Sequence, residues 1–214
     1  MIYMTPQSSP TSNLSALRWG HIVTPAKWAN HIPDGRLWCM DNGVFTGKFS
    51  ENDLWNKLQN MKPYLEKCLF VVAPDVVSNA IATMSAYRYW GARIKSLGWP
   101  VAFAAQDGQE LFDFPPEYDV LFIGGSTEWK MSTAADDCIL RAKAQGKWVH
   151  VGRVNSKKRI RHFQLMGVDS VDGTTVCFAP DKNYPVIDRA LKQEPLWRFY
   201  NDLCNYVSSG NRFG

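Results

Sequence analysis

Two aspartates at the end of a β-branched run, Asp169 and Asp172 in Gly-Val-Asp-Ser-Val-Asp-Gly-Thr at residues 167–174, are the groups of this chain best placed to do chemistry. Four earlier segments also run from an apolar stretch into a polar or glycine tip. They are Leu-Trp-Cys-Met-Asp-Asn-Gly ending at Gly43, Phe-Val-Val-Ala-Pro-Asp ending at Asp75, Val-Ala-Phe-Ala-Ala-Gln-Asp-Gly ending at Gly108, and Val-Leu-Phe-Ile-Gly-Gly-Ser ending at Ser126. A carboxylate can serve as nucleophile, as acid or base, or as an acceptor for paired N–H donors; an amide or a glycine backbone supplies donors. Buried parallel strands read as continuous apolar runs, and α/β barrels carry their chemistry at the carboxyl ends of such strands. Five ends of this kind predict one site assembled from several loops, and therefore an enzyme.

The elements that must position these tips follow from the pattern. Residues 1–17, rich in Ser, Thr and Pro, read as an irregular arm. Strands are predicted near residues 21–23 and at 37–40, 68–73, 101–105, 119–123, 148–151 and 170–171. Ser50-Glu51-Asn52-Asp53 resembles a capping box opening a helix through Leu54, Leu58, Met61 and Leu65, which share one face. Further helices are predicted from about 79 to 97, closed by Gly98, from 133 to 145, and up to Met166 with Asn155 or Ser156 as cap. A final pair is expected at 184–192 and 195–207, with a tail to 214. Alternating strands and helices with short turns demand parallel pairing and right-handed crossovers. Seven or eight strands favour a compact (β/α)₈ barrel of the TIM type as one domain over residues 1–214. An open doubly wound sheet is the rival, weakened because no Gly-x-Gly-x-x-Gly follows the first strand.

Composition narrows the class. The chain has 214 residues, 45% of them hydrophobic and 13% aromatic, which fits a folded domain with a full core. No apolar stretch approaches the roughly 20 residues that span a bilayer. The first 17 residues lack the charged start and apolar centre of a signal peptide, so residence in the cytoplasm is expected. Five scattered cysteines never form Cys-x-x-Cys, and the four histidines have no ligand spacing, so neither a disulfide framework nor a metal is expected. His150, inside a strand, reads as a hydrogen-bonded core residue. Net charge is only +4, but residues 145–168 hold six Lys/Arg and no Asp/Glu.

In their order and chemistry the five tips resemble those of the tRNA-guanine transglycosylase superfamily. The family motifs are an Asp-Ser-Gly-Gly-Phe tip, a strand-end Asp, a Gln-Gly tip, a Gly-Gly-Leu tip and Gly-Val-Asp-x-Phe-Asp. Here Asp41-Asn42-Gly43-Val44-Phe45, Pro74-Asp75, Gln106-Asp107-Gly108, Gly124-Gly125-Ser126 and Gly167 through Asp172 stand in the same sequence, covering roughly residues 36–175. Cellular members also carry a Cys-x-Cys-x-x-Cys…His zinc segment that helps them dimerise and hold tRNA. After Asp172 this chain has only Cys177 and Cys204. With Ile-Gly-Gly-Ser-Thr-Glu-Trp-Lys ending at Lys130 and Gly-Arg-Val-Asn-Ser ending at Ser156, it looks like the short, zinc-free phage branch that places 7-deazaguanines into DNA.

The resemblance implies roles that bottom-up chemistry can use. Cleaving an N-glycosidic bond with retention needs a carboxylate nucleophile at C1′ and an acid for the departing base. Asp172 matches the family nucleophile and Asp41 the acid/base. Alone, Asp172 would read as a turn or cap aspartate before Gly173-Thr174, and Asp41 as an Asp-Asn-Gly turn. A guanine-like ring presents N1–H and a 2-amino group, which Asp75 can accept, and O6, to which the Gln106 amide and the Gly125 N–H can donate. Gly124 and Gly125 would let the backbone approach the ring. Asp107 and Asp169 are expected to be structural.

A base deep in a barrel mouth must leave its stack. Arg153, Lys157, Lys158 and Arg159, with Lys130, are candidates for the phosphate backbone, helped by a helix N-terminus. Trp129 is the tryptophan nominated near the ligand. The expected partners are DNA, or alternatively tRNA, and a free 7-deazaguanine such as the 7-cyano base. No cofactor, metal or membrane is expected, the compartment is the host cytoplasm if the chain is phage-encoded, and nothing in the residues specifies an oligomeric state. The three functions that remain open are DNA base exchange, tRNA base exchange and a nucleobase- or nucleic-acid-binding barrel without turnover.

Overall fold

Eight parallel strands close into a barrel in simple sequence order in the computed structural model, which describes residues 1–6, 17–27, 29–32 and 35–193. The strands are β1 (Ile2–Pro6), β2 (Trp19–Val23), β3 (Trp38–Met40), β4 (Cys68–Val72), β5 (Val101–Ala105), β6 (Val120–Ile123), β7 (Trp148–Val151) and β8 (Ser170–Asp172). The helices are α1 (Glu51–Met61), α2 (Ala80–Ser96), the single turn α3 (Thr127–Lys130), α4 (Thr133–Ala144), α5 (Lys157–Leu165) and α6 (Pro180–Lys192). The rival open sheet is thereby excluded. Among the described residues no helix is long and apolar enough to cross a membrane.

One element corrects the expected irregular arm. Ile2–Pro6 is a strand that pairs with β2 on one side and β8 on the other and so closes the ring. Tyr3, Met4 and Thr5 are fully buried. Five residues of ordinary strand character were masked by the Ser- and Pro-rich stretch that follows them. The rest of that segment, residues 7–16, and the second C-terminal helix and tail expected from 195 onward lie outside the described residues. α6 begins at Pro180, earlier than expected, because proline suits the first helical turn, where its missing N–H costs nothing.

Side chains along a strand alternate between faces, and here the two faces build two separate cores. Met4, Cys39, Phe70, Val72, Ala102, Ala104 and Val120 fill the barrel interior with Phe122 and Trp148. Their neighbours Tyr3, Trp38, Met40, Val71, Phe103, Leu121, Val149 and Val171 face outward beneath the helices, meeting Leu54, Leu58, Ile94, Ile139 and Phe163. Each fully buried large side chain contributes about 1.5–3 kcal/mol. The small Ala102 and Ala104 leave room for Phe70 and Phe122, whose rings meet edge to face at 6.4 Å.

Loops after the strands enter helices through side-chain caps. Ser50 accepts from Asp53 N at the start of α1, Asn79 from Ala82 N at α2, Ser126 from Trp129 N at α3 and Ser156 from Arg159 N at α5. Each cap is worth about 1 kcal/mol, and each fixes the path of a loop over the mouth of the barrel.

Candidate functional site

The inward phase of five strands continues one step beyond an inward-facing residue of the strand. Cys39 leads to Asp41, Ala104 to Gln106, Phe122 to Gly124, His150 to Gly152, and Ser170 to Asp172. All five line one cavity at the carboxyl end of the barrel, together with Asp75, Phe45, Thr46, Val77, Phe122 and Arg153. Its cavity volume is about 90 Å³, and its mouth is open to solvent.

Asp172 is held from two sides. Its Oδ1 accepts the Arg153 backbone N–H at 3.0 Å, and its Oδ2 lies 3.0 Å from His150 Nε2. Its side chain keeps 15% exposure to the cavity. The Arg153 N–H reaches it because Arg153 adopts a left-handed conformation with φ of 61°, which costs a non-glycine residue of order 1–3 kcal/mol. The strain turns the guanidinium back over the site, where it donates to the carbonyls of Gly124 and Gly125 and sits 4.0 Å above the Phe45 ring. A Cβ at Gly152 would stand 2.9 Å from the Phe122 ring and 3.4 Å from Asp172 Oδ2, so this turn tolerates only glycine.

Asp41 accepts the Gly43 N–H at 3.2 Å. Burial above all, then the charge of Asp172, pushes its carboxyl up to about 6, against the pull of the Gly43 N–H. It therefore exchanges a proton near neutrality, which an acid/base catalyst requires. Asp75 takes 2.7 Å and 2.5 Å hydrogen bonds from the amides of Asn42 and Gln106. Burial raises its carboxyl above the ordinary range, while those two amides and the Arg153 charge oppose the rise. Both amides are themselves fixed: Asn42 also donates to Ala73 O and accepts from Val44 N, and Gln106 accepts from Ser78 N. The result is a carboxylate fixed in orientation by two amides on the lining of the cavity.

The structure redistributes several expected roles. Gln106 was expected to donate to a ring carbonyl; one of its N–H groups instead orients Asp75. Gly124 and Gly125 were expected to admit a close ligand, yet the protein itself requires them. A Cβ at Gly124 would fall 2.4 Å from Gln106 Nε2, and one at Gly125, whose φ is +31°, 2.3 Å from the Trp129 ring. Trp129 is buried beneath that loop with Nε1 bound to Glu110 and is not among the cavity-lining residues. Arg153 lines the cavity and is anchored to the Gly124-Gly125 loop, a different position from the open phosphate contact expected of it.

Lys130 is a correction. It is 3% exposed and donates to Gly152 O at 2.7 Å. Burial first, then the cations of Arg153 and Arg159, lowers its ammonium to about 7. The single turn of α3 folds it inward, where it props the turn that carries Arg153, and it cannot track a phosphate chain. Lys157 and Lys158 are exposed and Arg159 half-buried on the first turn of α5, on the same face as the cavity.

Asp107 holds the N–H and hydroxyl of Ser126, and Asp169 pairs with Lys143 while accepting from Val149 N, both structural as expected. Two residues that hold the carboxylates of the site were not anticipated in that role. Asn42 sits inside a motif already singled out, and its 2% exposure marks it as more than a turn residue. His150 is the hydrogen-bonded core residue expected, but its partner is Asp172; its inward phase with Gly152 was the available signal. Among the described residues no group of three or more His, Cys, Asp or Glu is arranged to hold a metal. No protein-family model matches the chain, and no curated protein matches its sequence.

Proposed function

We propose that this protein is a DNA guanine transglycosylase, exchanging guanine in DNA for a 7-deazaguanine such as the 7-cyano base through a covalent aspartyl–nucleotide intermediate. One observation carries the reading. Asp41, Asp75, Gln106, Gly124 and Asp172, from five different strand ends and in the order of the superfamily motifs, converge on a single cavity. Any such barrel gathers its strand ends at one mouth; what supports the reading is that the side chains gathered here are three carboxylates and an amide of the kinds the reaction uses.

In this reaction an Asp172 oxygen attacks C1′ as the C1′–N9 bond breaks, and the bonding pair leaves with the base. Asp41 in its protonated form delivers the proton that neutralises the departing guanine. The incoming 7-deazaguanine then loses its N9 proton to the Asp41 carboxylate, and its nitrogen attacks C1′ and displaces Asp172. Two inversions give net retention. Asp75 accepts from N1–H and the 2-amino group of either ring, a pattern that adenine lacks. The target base must be flipped into the mouth, with Lys157, Lys158 and Arg159 placed to meet the flanking phosphates.

The test is direct. Purified protein is incubated with radiolabelled guanine and, separately, duplex DNA and folded tRNA, and label in each polymer is counted. A parallel denaturing gel looks for a covalent protein–DNA adduct. Label and adduct on DNA are expected. Label on tRNA alone would transfer the same chemistry to the other polymer, and label on neither, with retained binding, would leave a barrel that binds without turnover.

A further inference from the structure

We infer that His150 is a positioning residue for Asp172, and that a directed chain of hydrogen bonds from Trp148 through Ser170 locks its imidazole as the neutral Nε2–H tautomer. The tautomer follows from geometry alone; its consequence for catalysis rests on the base-exchange reading.

The chain lies across the β7–β8 seam, where His150 is in register with Ser170. Trp148 Nε1 is 2.9 Å from Ser170 Oγ, Ser170 Oγ is 2.8 Å from His150 Nδ1, and His150 Nε2 is 3.0 Å from Asp172 Oδ2. The indole N–H can only donate, so Ser170 Oγ accepts from it. Ser170 is fully buried, and among the described residues its hydroxyl has one other partner, His150 Nδ1. The hydroxyl hydrogen must therefore point at Nδ1, because a buried hydroxyl without an acceptor is costly. Nδ1 is then the bare, accepting nitrogen and Nε2 carries the hydrogen, which faces the carboxylate.

The two alternatives each fail on the same accounting. An Nδ1–H tautomer would strand the Ser170 hydrogen and also aim a bare Nε2 at a carboxylate oxygen. A doubly protonated ring would strand the Ser170 hydrogen. The ring itself cannot turn away: it is fully buried, stacked on Phe122 at 5.0 Å and edge-on to Phe70 at 5.0 Å.

The device suits a nucleophile. A lysine or arginine in this place would hold the carboxylate but also bind its electron pair tightly. A neutral imidazole and one backbone N–H fix the plane of the carboxylate with weaker donors, leaving its charge for C1′.

Imidazole ¹⁵N NMR on the full chain labelled at histidine tests the tautomer without any turnover. The His150 signals, identified as those missing from His150→Gln, are expected to show a protonated Nε2 and a bare Nδ1 at neutral pH. Ser170→Ala, which removes the orienting hydroxyl, should shift them toward a mixture. A protonated Nδ1 in the parent protein, alone or with a protonated Nε2, overturns the relay. For the catalytic consequence, His150→Phe preserves the ring between Phe70 and Phe122 but removes both nitrogens. It should lower kcat for base exchange roughly 10- to 100-fold, the range typical of residues that orient a reacting ligand from behind, with KM unchanged. His150→Gln, which retains an N–H donor, should recover part of the loss. Parent-like kcat in His150→Phe overturns the positioning role. If the parent protein exchanges no base on any polymer, the base-exchange reading fails, while the NMR result still decides the tautomer.

Discussion

The two ends of the barrel treat their aspartates in opposite ways. At the amino end the same device occurs twice. Asp119 precedes β6, accepts the first N–H of β5 from Val101 at 2.9 Å and pairs with Lys95 of α2 at 3.1 Å. Asp169 precedes β8, accepts the N–H of Val149, the second residue of β7, at 2.8 Å and pairs with Lys143 of α4 at 2.7 Å. Each carboxylate ties a strand to a neighbour and a helix to both. At the carboxyl end, Asp41, Asp75 and Asp172 have no Lys or Arg nitrogen within ion-pair distance among the described residues; amides, backbone N–H groups and a histidine hold them instead. Asp119 and Asp169 are paired with lysines that tie the frame together, whereas the three carboxylates at the mouth have no such counter-ion among the described residues. The difference separates Asp169 from Asp172 although three positions divide them in the sequence.

If that division is real, removing a carboxylate at one end should cost activity and at the other stability. The largest effect is expected for Asp172→Ala. Base exchange and adduct formation should fall on the order of 10⁴-fold, with the protein still folded and DNA binding close to that of the parent. Near-parental turnover would sink the nucleophile assignment.

Asp41 should show its effect through pH. Its carboxyl titrates at about 6 in the fold against an ordinary 3.8. The proton required for base departure is present below that value, so single-turnover adduct formation should decline about tenfold per pH unit above it. For stability the sign is the same. The folded value is raised, so the Asp41 contribution is complete below about 3.8 and is lost as pH rises through about 6. Asp41→Asn should remove both trends, gaining most in melting temperature at pH 8 and little at pH 5. A flat rate profile in the parent between pH 5 and 8 would contradict the acid role.

Asp75→Ala should weaken guanine binding by about 1–3 kcal/mol, read by calorimetry, and adenine should compete with neither protein. At the other end, Asp169→Ala should lower stability by a similar 1–3 kcal/mol, since it leaves the Val149 N–H and Lys143 without their partner. Exchange per folded molecule should not change; a fall in kcat here would erase the distinction between the two ends. The smallest expected effect belongs to the exposed cations. Neutralising Lys157 or Lys158 should flatten the slope of log affinity against log salt by about one unit each, with exchange at saturating DNA nearly unaffected.

β3 to β6 were legible because a strand buried on both faces needs an unbroken apolar run; β2, β7 and β8, each interrupted by a polar residue, were legible from their β-branched residues and their place in the alternation of strands and helices. β1 was not, since its apolar residues are few and polar chain follows at once. Asp41, Asp75, Gln106, Gly124 and Asp172 were legible as strand-end residues because the turn from strand to loop is a local event. Partner choice is not local. That His150 faces Asp172 depends on the register between β7 and β8, and that Gln106 faces Asp75 depends on two loops meeting over the mouth. Lys130 and Arg153 misled for a related reason: a lysine or arginine in a loop reads as exposed, and only the path of α3 and the left-handed turn at Arg153 bring them inward.

The seam of the barrel imposes an order of events on folding. β1 pairs with β8 in the register Ile2 to Ser170, Tyr3 to Val171 and Met4 to Asp172, so strands from opposite ends of the described chain must meet before the ring exists. Pairings of such long range form late, because the entropy of closing the loop precedes any reward. Until β8 docks, the Arg153 N–H and the His150 ring have no carboxylate to hold, and β1 and β7 present open edges. A chain still emerging from synthesis can therefore build most of its core while the candidate site stays incomplete, and the last strand to arrive brings Asp172 with it.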